Sequence, residues 1–337
     1  MASKLRRIAG HPIVKIGYFA LLVGATILYL VRWGDRLPDL LRQIQALPVI
    51  LAFLVTCLSS LLYVYIQYAI YRRLGAKPPY RTVFRIVGIS QLGKYLPGKV
   101  LFAGNFYLLS RAAGIGNLQS GAAFTLSMAL WILTASLCAL PVLALLQPAL
   151  RYSVLVLPLL LALLIHPRIL GLLLRLVQRV VGRLRGPDGA GSTALAAQGD
   201  LLTKLNITFY LRTAFLYLAT WALAGLGAWL SASAFAAVGI ETYPLALASI
   251  ALGTVAGFLA LFAPVGLGIR EGIGALVLSP AVGADVALLA MVLLRGITVV
   301  VDLLFALIGL GLGRGAVPEA ARWGGEGGGT QPLQEEG

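Results

Sequence analysis

The chain has 337 residues, of which 59% are hydrophobic and only 12% are charged, and its formal net charge is +15. Soluble domains carry about 25% charged residues, so this composition argues against a soluble globular protein. A basic balance can indicate nucleic acid, but no aromatic and basic segment is long enough to form such a module. Two cysteines, each inside an apolar run, are too few for a disulfide framework, and neither histidine has a second His, Cys or carboxylate at the spacing of a metal site. We therefore expect no nucleic acid, metal or cofactor.

Long apolar segments predict the fold class, which is all-α, a polytopic transmembrane helical bundle. They occupy about 13–31, 48–70, 118–146, 152–166, 207–238, 244–262 and 284–312. The first segment is too long for the apolar part of a signal peptide, so we expect an uncleaved helix. Lys and Arg are concentrated in alternate loops, which predicts a cytoplasmic N-terminus.

The stretch LGKYLPGKV, residues 92–100, places two lysines between apolar arms. If the charge alternation holds, residues 78–114 enter and leave on the same side of the membrane. Each arm is about 22–24 Å long at the helical rise, which is shorter than the ~30 Å hydrocarbon core. We therefore predict a re-entrant helical hairpin with Pro97 and Gly98 at its tip, because broken backbone at that depth needs protein or water around it.

A similar unit occupies residues 243–283, where an apolar arm breaks and a short arm of about 272–282 returns. Its predicted tip residues are Pro264, Gly266 and Gly268. If this second hairpin enters from outside, the two units are inverted copies, the plan of many transporters. The alternative is that segment 244–262 spans the membrane and the tail lies outside.

The predicted membrane domain, 1–313, contains one segment on its inner surface. Within residues 167–205, arginines recur on one face of a helical pattern and aliphatic residues fill the other. This pattern predicts a cytoplasmic amphipathic helix attracted to anionic lipid, followed by a loop. Residues 314–337 are Gly-rich and predict a disordered tail.

Six ionisable residues lie in apolar surroundings, where charge is expensive. They are Lys94, Lys99, Arg270, Glu271, Arg295 and Asp302. In one interpretation the two acids pair with arginines and stabilise the scaffold. In the other, the two surplus positive charges form a pocket for an anionic group such as a phosphate. Asn105 and Gln91 are further candidates for that pocket, whereas Ser90 suits a hydrogen bond between helices.

The segments that carry a family resemblance are GKYLPGKVLFAGNFYLLSRAAGI and ALGTVAGFLALFAPVGLGIREGIGALVLSPAVG, followed by an apolar helix with Arg295. They resemble the lysylphosphatidylglycerol synthase transmembrane, or flippase-like, family of prokaryotic integral membrane proteins. The resemblance covers most of 13–313. The matching positions are Lys94, Pro97, Gly98, Lys99, Pro264, Gly266, Gly268, Arg270, Glu271 and Arg295.

This resemblance implies a multi-pass protein of a prokaryotic plasma membrane that moves lipids between leaflets. The implied lipid partner is an anionic phospholipid or a lipid of the polyprenyl-phosphate type. The possible protein partners are a second copy of this chain and a lipid-modifying enzyme. The large acyltransferase domain of the lysyl-transferring enzymes does not follow the membrane part here, so we expect no aminoacyl transfer. The helix after the first hairpin reads AAFTLSMALWIL and lacks the acidic residue of many relatives.

Three functions remain open from the sequence. The first is a lipid translocase, which we expect not to be an enzyme and which binds a headgroup through Lys94, Lys99, Asn105, Arg270, Glu271, Arg295 and Asp302. The second is an ion-coupled transporter of a small solute, with Glu271 or Asp302 as proton carrier. The third is a membrane enzyme or accessory factor acting on polyprenyl-linked sugars, which would need clustered carboxylates and often a metal.

Overall fold

The computed structural model describes residues 44–95, 100–145, 201, 205–260 and 268–312. Regular structure within these ranges is helical throughout. Five helices are long and apolar enough to cross a membrane, namely Ala46–Arg73, Asn117–Val142, Ile207–Ser233, Ile240–Phe258 and Ala284–Gly311. The predicted all-α polytopic bundle is thus confirmed.

Eight α-helices form within the described residues. They are α1 (Ala46–Arg73), α2 (Tyr80–Leu92), α3 (Val100–Ala112), α4 (Asn117–Cys138), α5 (Ile207–Ser233), α6 (Tyr243–Leu259), α7 (Ile269–Val282) and α8 (Ala284–Gly311). Short 3-10 turns occupy Gly93–Tyr95, Leu140–Leu145 and Ile240–Thr242. The predicted segments 13–31 and 152–166, the tail 314–337 and nearly all of the amphipathic segment 167–205 lie outside the described residues.

Helix α1 shows how local sequence sets a boundary. Its 28 residues rise through about 42 Å, enough to cross the hydrocarbon core. Arg72 and Arg73 occupy its last turn, where positive charge complements the helix dipole. Gly75 follows with a φ of +84°, a left-handed conformation that glycine adopts without steric cost. Pro78 then cannot continue the helix.

The two broken units form pairs of packed helices. The 13-residue helices α2 and α3 contact each other, as do α6, with 17 residues, and α7, with 14. The tip residues Leu96 to Lys99 and Leu261 to Leu267 lie outside the described residues. Re-entry of either pair into the bilayer stays a prediction, as does the inverted repeat. Because Ile240–Phe258 is a candidate span, both alternatives for the side of the C-terminus remain open.

Close backbone contacts hold the bundle together. Lipid tails are as apolar as leucine, so burial of apolar area does not drive helices together, and small residues at the interfaces matter more. Gly88 on α2 lies against α8, where an added Cβ would be 2.7 Å from the carbonyl oxygen of Phe305. Exposed leucines, including Leu58 and Leu307, cover the outer surface, as expected for side chains that face lipid.

Replacing Gly88 with Ala should therefore destabilise the protein. The new methyl group would force α2 away from α8, and overpacking of this kind costs about 1–3 kcal/mol. The matched control is Gly296→Ala on α8, where an added Cβ meets nothing within 4 Å. We expect thermal unfolding in neutral detergent to show a lower Tm for Gly88→Ala and little change for Gly296→Ala. Equal Tm values for the two variants would mean that the contact adapts without cost.

Candidate functional site

All eight helices contribute to one cavity of ≈ 280 Å³. Its walls combine hydroxyl groups and aromatic rings with three charged side chains. The hydroxyl residues are Thr56, Ser59, Ser60, Thr220, Thr254 and Thr298, the aromatic residues are Tyr63, Phe102, Trp131, Trp221, Phe258 and Phe305, and the charged residues are Lys94, Arg270 and Asp302. A mostly apolar wall with a few convergent polar groups is typical of a ligand site.

The 3-10 turn after α2 brings a lysine to the cavity. Lys94 Nζ lies 2.7 Å from Oδ2 of Asp302 on α8. The hydroxyl of Tyr95 donates a hydrogen bond to the same oxygen. Asp302 is only 7% exposed, and a carboxylate so buried needs such partners because an unpaired charge in apolar surroundings is costly. These contacts tie the turn to α8.

The second carboxylate lies at the start of α7. The backbone N–H of Gly268, a residue with a φ of +79°, donates to Oε2 of Glu271 at 2.8 Å. Glu271 therefore lies in the first turn of α7, at the helix N-terminus, where negative charge is favourable. Oε1 of Glu271 lies 3.7 Å from Nε of Arg295 on α8, so this ion pair links α7 to α8.

An aromatic ring connects the two ion pairs. Nζ of Lys94 and Cζ of Arg295 each lie 5.4 Å from the ring centroid of Tyr95, within cation–π range. Arg295 is 8% exposed, and neither its Nη1 nor its Nη2 has a hydrogen-bond partner among the described residues. Buried donors of this kind normally find a partner. These two nitrogens are themselves buried and Arg295 is not among the described cavity-lining residues, so Arg295 contributes its charge rather than an exposed donor.

Arg270 is the least neutralised cation at the site. It lines the cavity, and no carboxylate of the described residues lies within 4.0 Å of its guanidinium. A close helix contact positions it, because a Cβ added to Gly253 on α6 would lie 2.5 Å from the carbonyl oxygen of Arg270. Its charge interacts with those of Arg295, Glu271 and Asp302. The described cluster thus contains three cations and two carboxylates, an excess of one positive charge.

The described charge cluster consists of three basic and two acidic side chains. No group of three or more His, Cys, Asp or Glu side chains that could hold a metal ion occurs among the described residues. Arginine and lysine side chains are donors only, so the cluster offers hydrogen bonds to an anion.

The comparison with protein families matches most of the chain. The sequence model of the family described as "Lysylphosphatidylglycerol synthase TM region" covers residues 17–306. The chain belongs to this family. Five apolar helices and family membership together make it a multi-pass membrane protein. A search of the curated proteins found no match to this chain.

In this lysylphosphatidylglycerol synthase TM family member, five predicted site residues come together. They are Lys94, Arg270, Glu271, Arg295 and Asp302. Asn105 is half-buried on α3 and does not belong to the described cavity lining, whereas Gln91 does. Lys99, Pro97, Gly98, Pro264 and Gly266 lie outside the described residues, so their predicted roles stay predictions.

Some details of the family member's site differ from the sequence-based interpretation. The interpretation in which the charges only stabilise the scaffold paired both acids with arginines. In the structure Asp302 forms its ion pair with Lys94 instead. Ser90 is buried and its hydroxyl has no partner in the described structure, so the expected hydrogen bond between helices is absent there. Sequence reasoning also missed Tyr95, although it directly follows Lys94 in the matching motif.

A second feature that the sequence did not reveal is a buried polar group between α1, α4 and α5. The side-chain amide of Gln67 donates to the hydroxyl of Ser127, which lies 2.9 Å from the hydroxyl of Tyr217. Gln67 is completely buried. No local pattern marks these three residues as partners, because they belong to separate helices far apart in the sequence.

Proposed function

We propose that this protein moves an anionic lipid between the leaflets of its membrane. The observation that carries the proposal is the positive excess at the cavity, where Arg270 has no carboxylate partner among the described residues. Ionisable residues inside a membrane domain are costly and mark substrate pathways by default. The implied activity of the family resemblance points the same way.

The type of charge favours a phosphate group. Guanidinium groups bind phosphate through two parallel hydrogen bonds, which adds both strength and geometric specificity. Arg270 presents such a group to the cavity, and the buried charge of Arg295 adds to the positive field there. A phosphodiester or phosphomonoester headgroup would supply the negative charge that no described carboxylate gives to Arg270.

The cavity size favours a headgroup without its tails. The volume of ≈ 280 Å³ lies just below the usual range for small-molecule pockets, roughly 300–1,000 Å³. Two acyl chains do not fit in such a space and would remain in the bilayer. The hydroxyl groups of Ser60 and Thr298 in the wall suit the polar part of a headgroup.

Headgroup binding would also act on the contact between the turn and α8. A phosphate that reaches Lys94 competes with Asp302, its partner at 2.7 Å. The bound anion would thus weaken one of the contacts that join the first broken unit to α8. We propose that this competition couples headgroup binding to the rearrangement that transport requires.

Reconstitution tests the proposed activity. Proteoliposomes would carry a trace of fluorescently labelled phosphatidylglycerol, polyprenyl phosphate or phosphatidylcholine, and an impermeant quencher would report label in the outer leaflet. We expect protein to accelerate the exchange of at least one anionic lipid about tenfold or more over phosphatidylcholine. An encapsulated dye controls for leakage. Exchange of both anionic lipids at the rate of protein-free vesicles would contradict a translocase.

A coupled transporter of a small solute is the second candidate. Glu271 and Asp302 are 8% and 7% exposed, and buried carboxylates in membrane helices suit proton carriage. In this case an imposed pH gradient should drive solute uptake into the same vesicles while labelled lipids remain in their leaflets.

A further inference from the structure

A second basic site lies away from the cavity, at one end of the helix pair α1 and α5. The two helices are antiparallel, since the N–H of Gln45 donates to the carbonyl of Ala234 at 3.0 Å while Arg73 stacks on Phe209 at the other end. Between the end of α1 and the start of α5 is a groove of ≈ 460 Å³. It shares no described lining residue with the cavity.

Three arginines dominate this groove. Arg72 and Arg73 come from the last turn of α1, and Arg212 comes from the second turn of α5. The described lining contains no acidic residue, and no described carboxylate lies within 4.0 Å of the three guanidinium groups. Three uncompensated charges beside one another repel, so an anion between them would relieve a cost as well as form hydrogen bonds.

Neighbouring groups contact two of the three arginines and add polar atoms to the groove. Arg72 donates to the hydroxyl of Tyr68 at 2.8 Å, and Arg73 lies 6.0 Å from the ring centroid of Phe209. The side chain of Asn206 caps α5 by accepting from the N–H of Phe209 at 3.0 Å. The positive end of the α5 dipole therefore lies in the same groove and favours a negative charge there.

The apolar surface around the groove suits the acyl chains of a lipid. Exposed apolar side chains continue along the same two helices, with Leu58 and Leu61 on α1 and Leu211 and Phe215 on α5. Leu211 and Phe215 are 65% and 69% exposed. A soluble anion would use the arginines but gain nothing from these side chains. A phospholipid would use both, with its phosphate in the groove and its chains along the helices.

We propose that this groove, formed by Arg72, Arg73 and Arg212, binds the phosphate of an anionic phospholipid resident in the surrounding leaflet. Basic pockets between transmembrane helices on the cytoplasmic side suit anionic headgroups, and the predicted topology places this end of the bundle on that side. The resident lipid joins the end of α1 to the start of α5. The site stands independently of lipid movement through the cavity.

The test is lipid-dependent thermal stability of the full chain. Delipidated protein in neutral detergent would be titrated with phosphatidylglycerol, phosphatidylcholine or inorganic phosphate, and the rise in Tm would give an apparent affinity. The site variant is Arg72→Gln/Arg73→Gln/Arg212→Gln. The control, Lys77→Gln/Arg81→Gln/Arg111→Gln, removes the same charge from exposed residues outside the groove. Arg212→Gln alone is a second, milder site variant, and Arg270→Gln reports any contribution of the cavity.

We expect phosphatidylglycerol to raise the Tm of the wild type and of the control alike, and Arg270→Gln should lose only the part of that rise that headgroup binding in the cavity contributes. The triple site variant should need about tenfold or more lipid for the same rise, as loss of charged hydrogen bonds predicts, and Arg212→Gln should lie between. Three results would overturn the proposal. They are equal losses in the site and control variants, a loss confined to Arg270→Gln, or stabilisation of the wild type by inorganic phosphate to the same extent as by lipid.

Discussion

Replacing Arg270 with Gln is expected to slow the exchange of the transported anionic lipid by about tenfold to a hundredfold. A hydrogen bond to a charged group contributes roughly 1.5–3 kcal/mol, and each 1.4 kcal/mol corresponds to a factor of ten. Arg270 has no carboxylate partner in the described structure, so its removal leaves no acid unpaired and the loss should fall on the ligand. The measurement is exchange of labelled lipid in proteoliposomes.

Two further variants make this prediction specific. Arg270→Lys keeps the charge but not the paired donors, so its rate should lie between the wild type and Arg270→Gln. Arg111→Gln removes an exposed positive charge from the last turn of α3 and should leave the rate within about twofold. If a folded Arg270→Gln protein exchanges lipid at the wild-type rate, Arg270 does not bind the transported lipid.

Replacing Lys94 with Met should cause the largest loss of stability among the charge variants. It leaves Asp302 buried with only the hydroxyl of Tyr95 as partner. Breaking a buried pair from one side costs up to about 3–5 kcal/mol, and the 24% exposure of the Lys94 side chain places the expected value at the lower end. We expect Tm in neutral detergent to fall by roughly 4–5 °C.

The double variant Lys94→Met/Asp302→Asn supplies the control for this effect. It removes the stranded carboxylate, so it should recover more than half of the lost Tm. Asp302→Asn alone should be milder than Lys94→Met, because the partly exposed lysine can still reach water in the cavity. If the losses of the two single variants simply add in the double variant, Lys94 and Asp302 do not interact.

The sequence predicted the transmembrane helices well where an apolar run has polar ends. Segments 48–70 and 284–312 correspond to helices Ala46–Arg73 and Ala284–Gly311. The prediction was poorer where apolar residues continue beyond the helix. Segment 207–238 extends past the end of α5 at Ser233, and segment 118–146 continues past α4 into a 3-10 turn that contains Pro141. Hydropathy indicates whether a residue lies in apolar surroundings, whereas backbone geometry and proline decide where a helix ends.

The charged residues could be found from the sequence because ionisable groups are rare in apolar helices and expensive there. The partners of these charged residues could not be found in this way. Tyr95 and Asp302 are 207 residues apart, and no periodicity relates them. The packing of the turn after α2 against α8 decides which acid forms an ion pair with Lys94. Gly88 permits the close approach of those two helices, and its role is visible only once they are placed together.

The amino-acid sequence alone therefore determined the membrane class, the family and the unusual charges in apolar surroundings, since each depends on composition or on a short local pattern. Only the tertiary structure decided that Arg270 faces a cavity while Lys94 and Arg295 hold carboxylates. It also decided that the arginines at the end of α1 line one groove with Arg212 on α5. The physical reason is that the cost of burying a charge is local, whereas the contact that offsets it comes from helices distant in the chain.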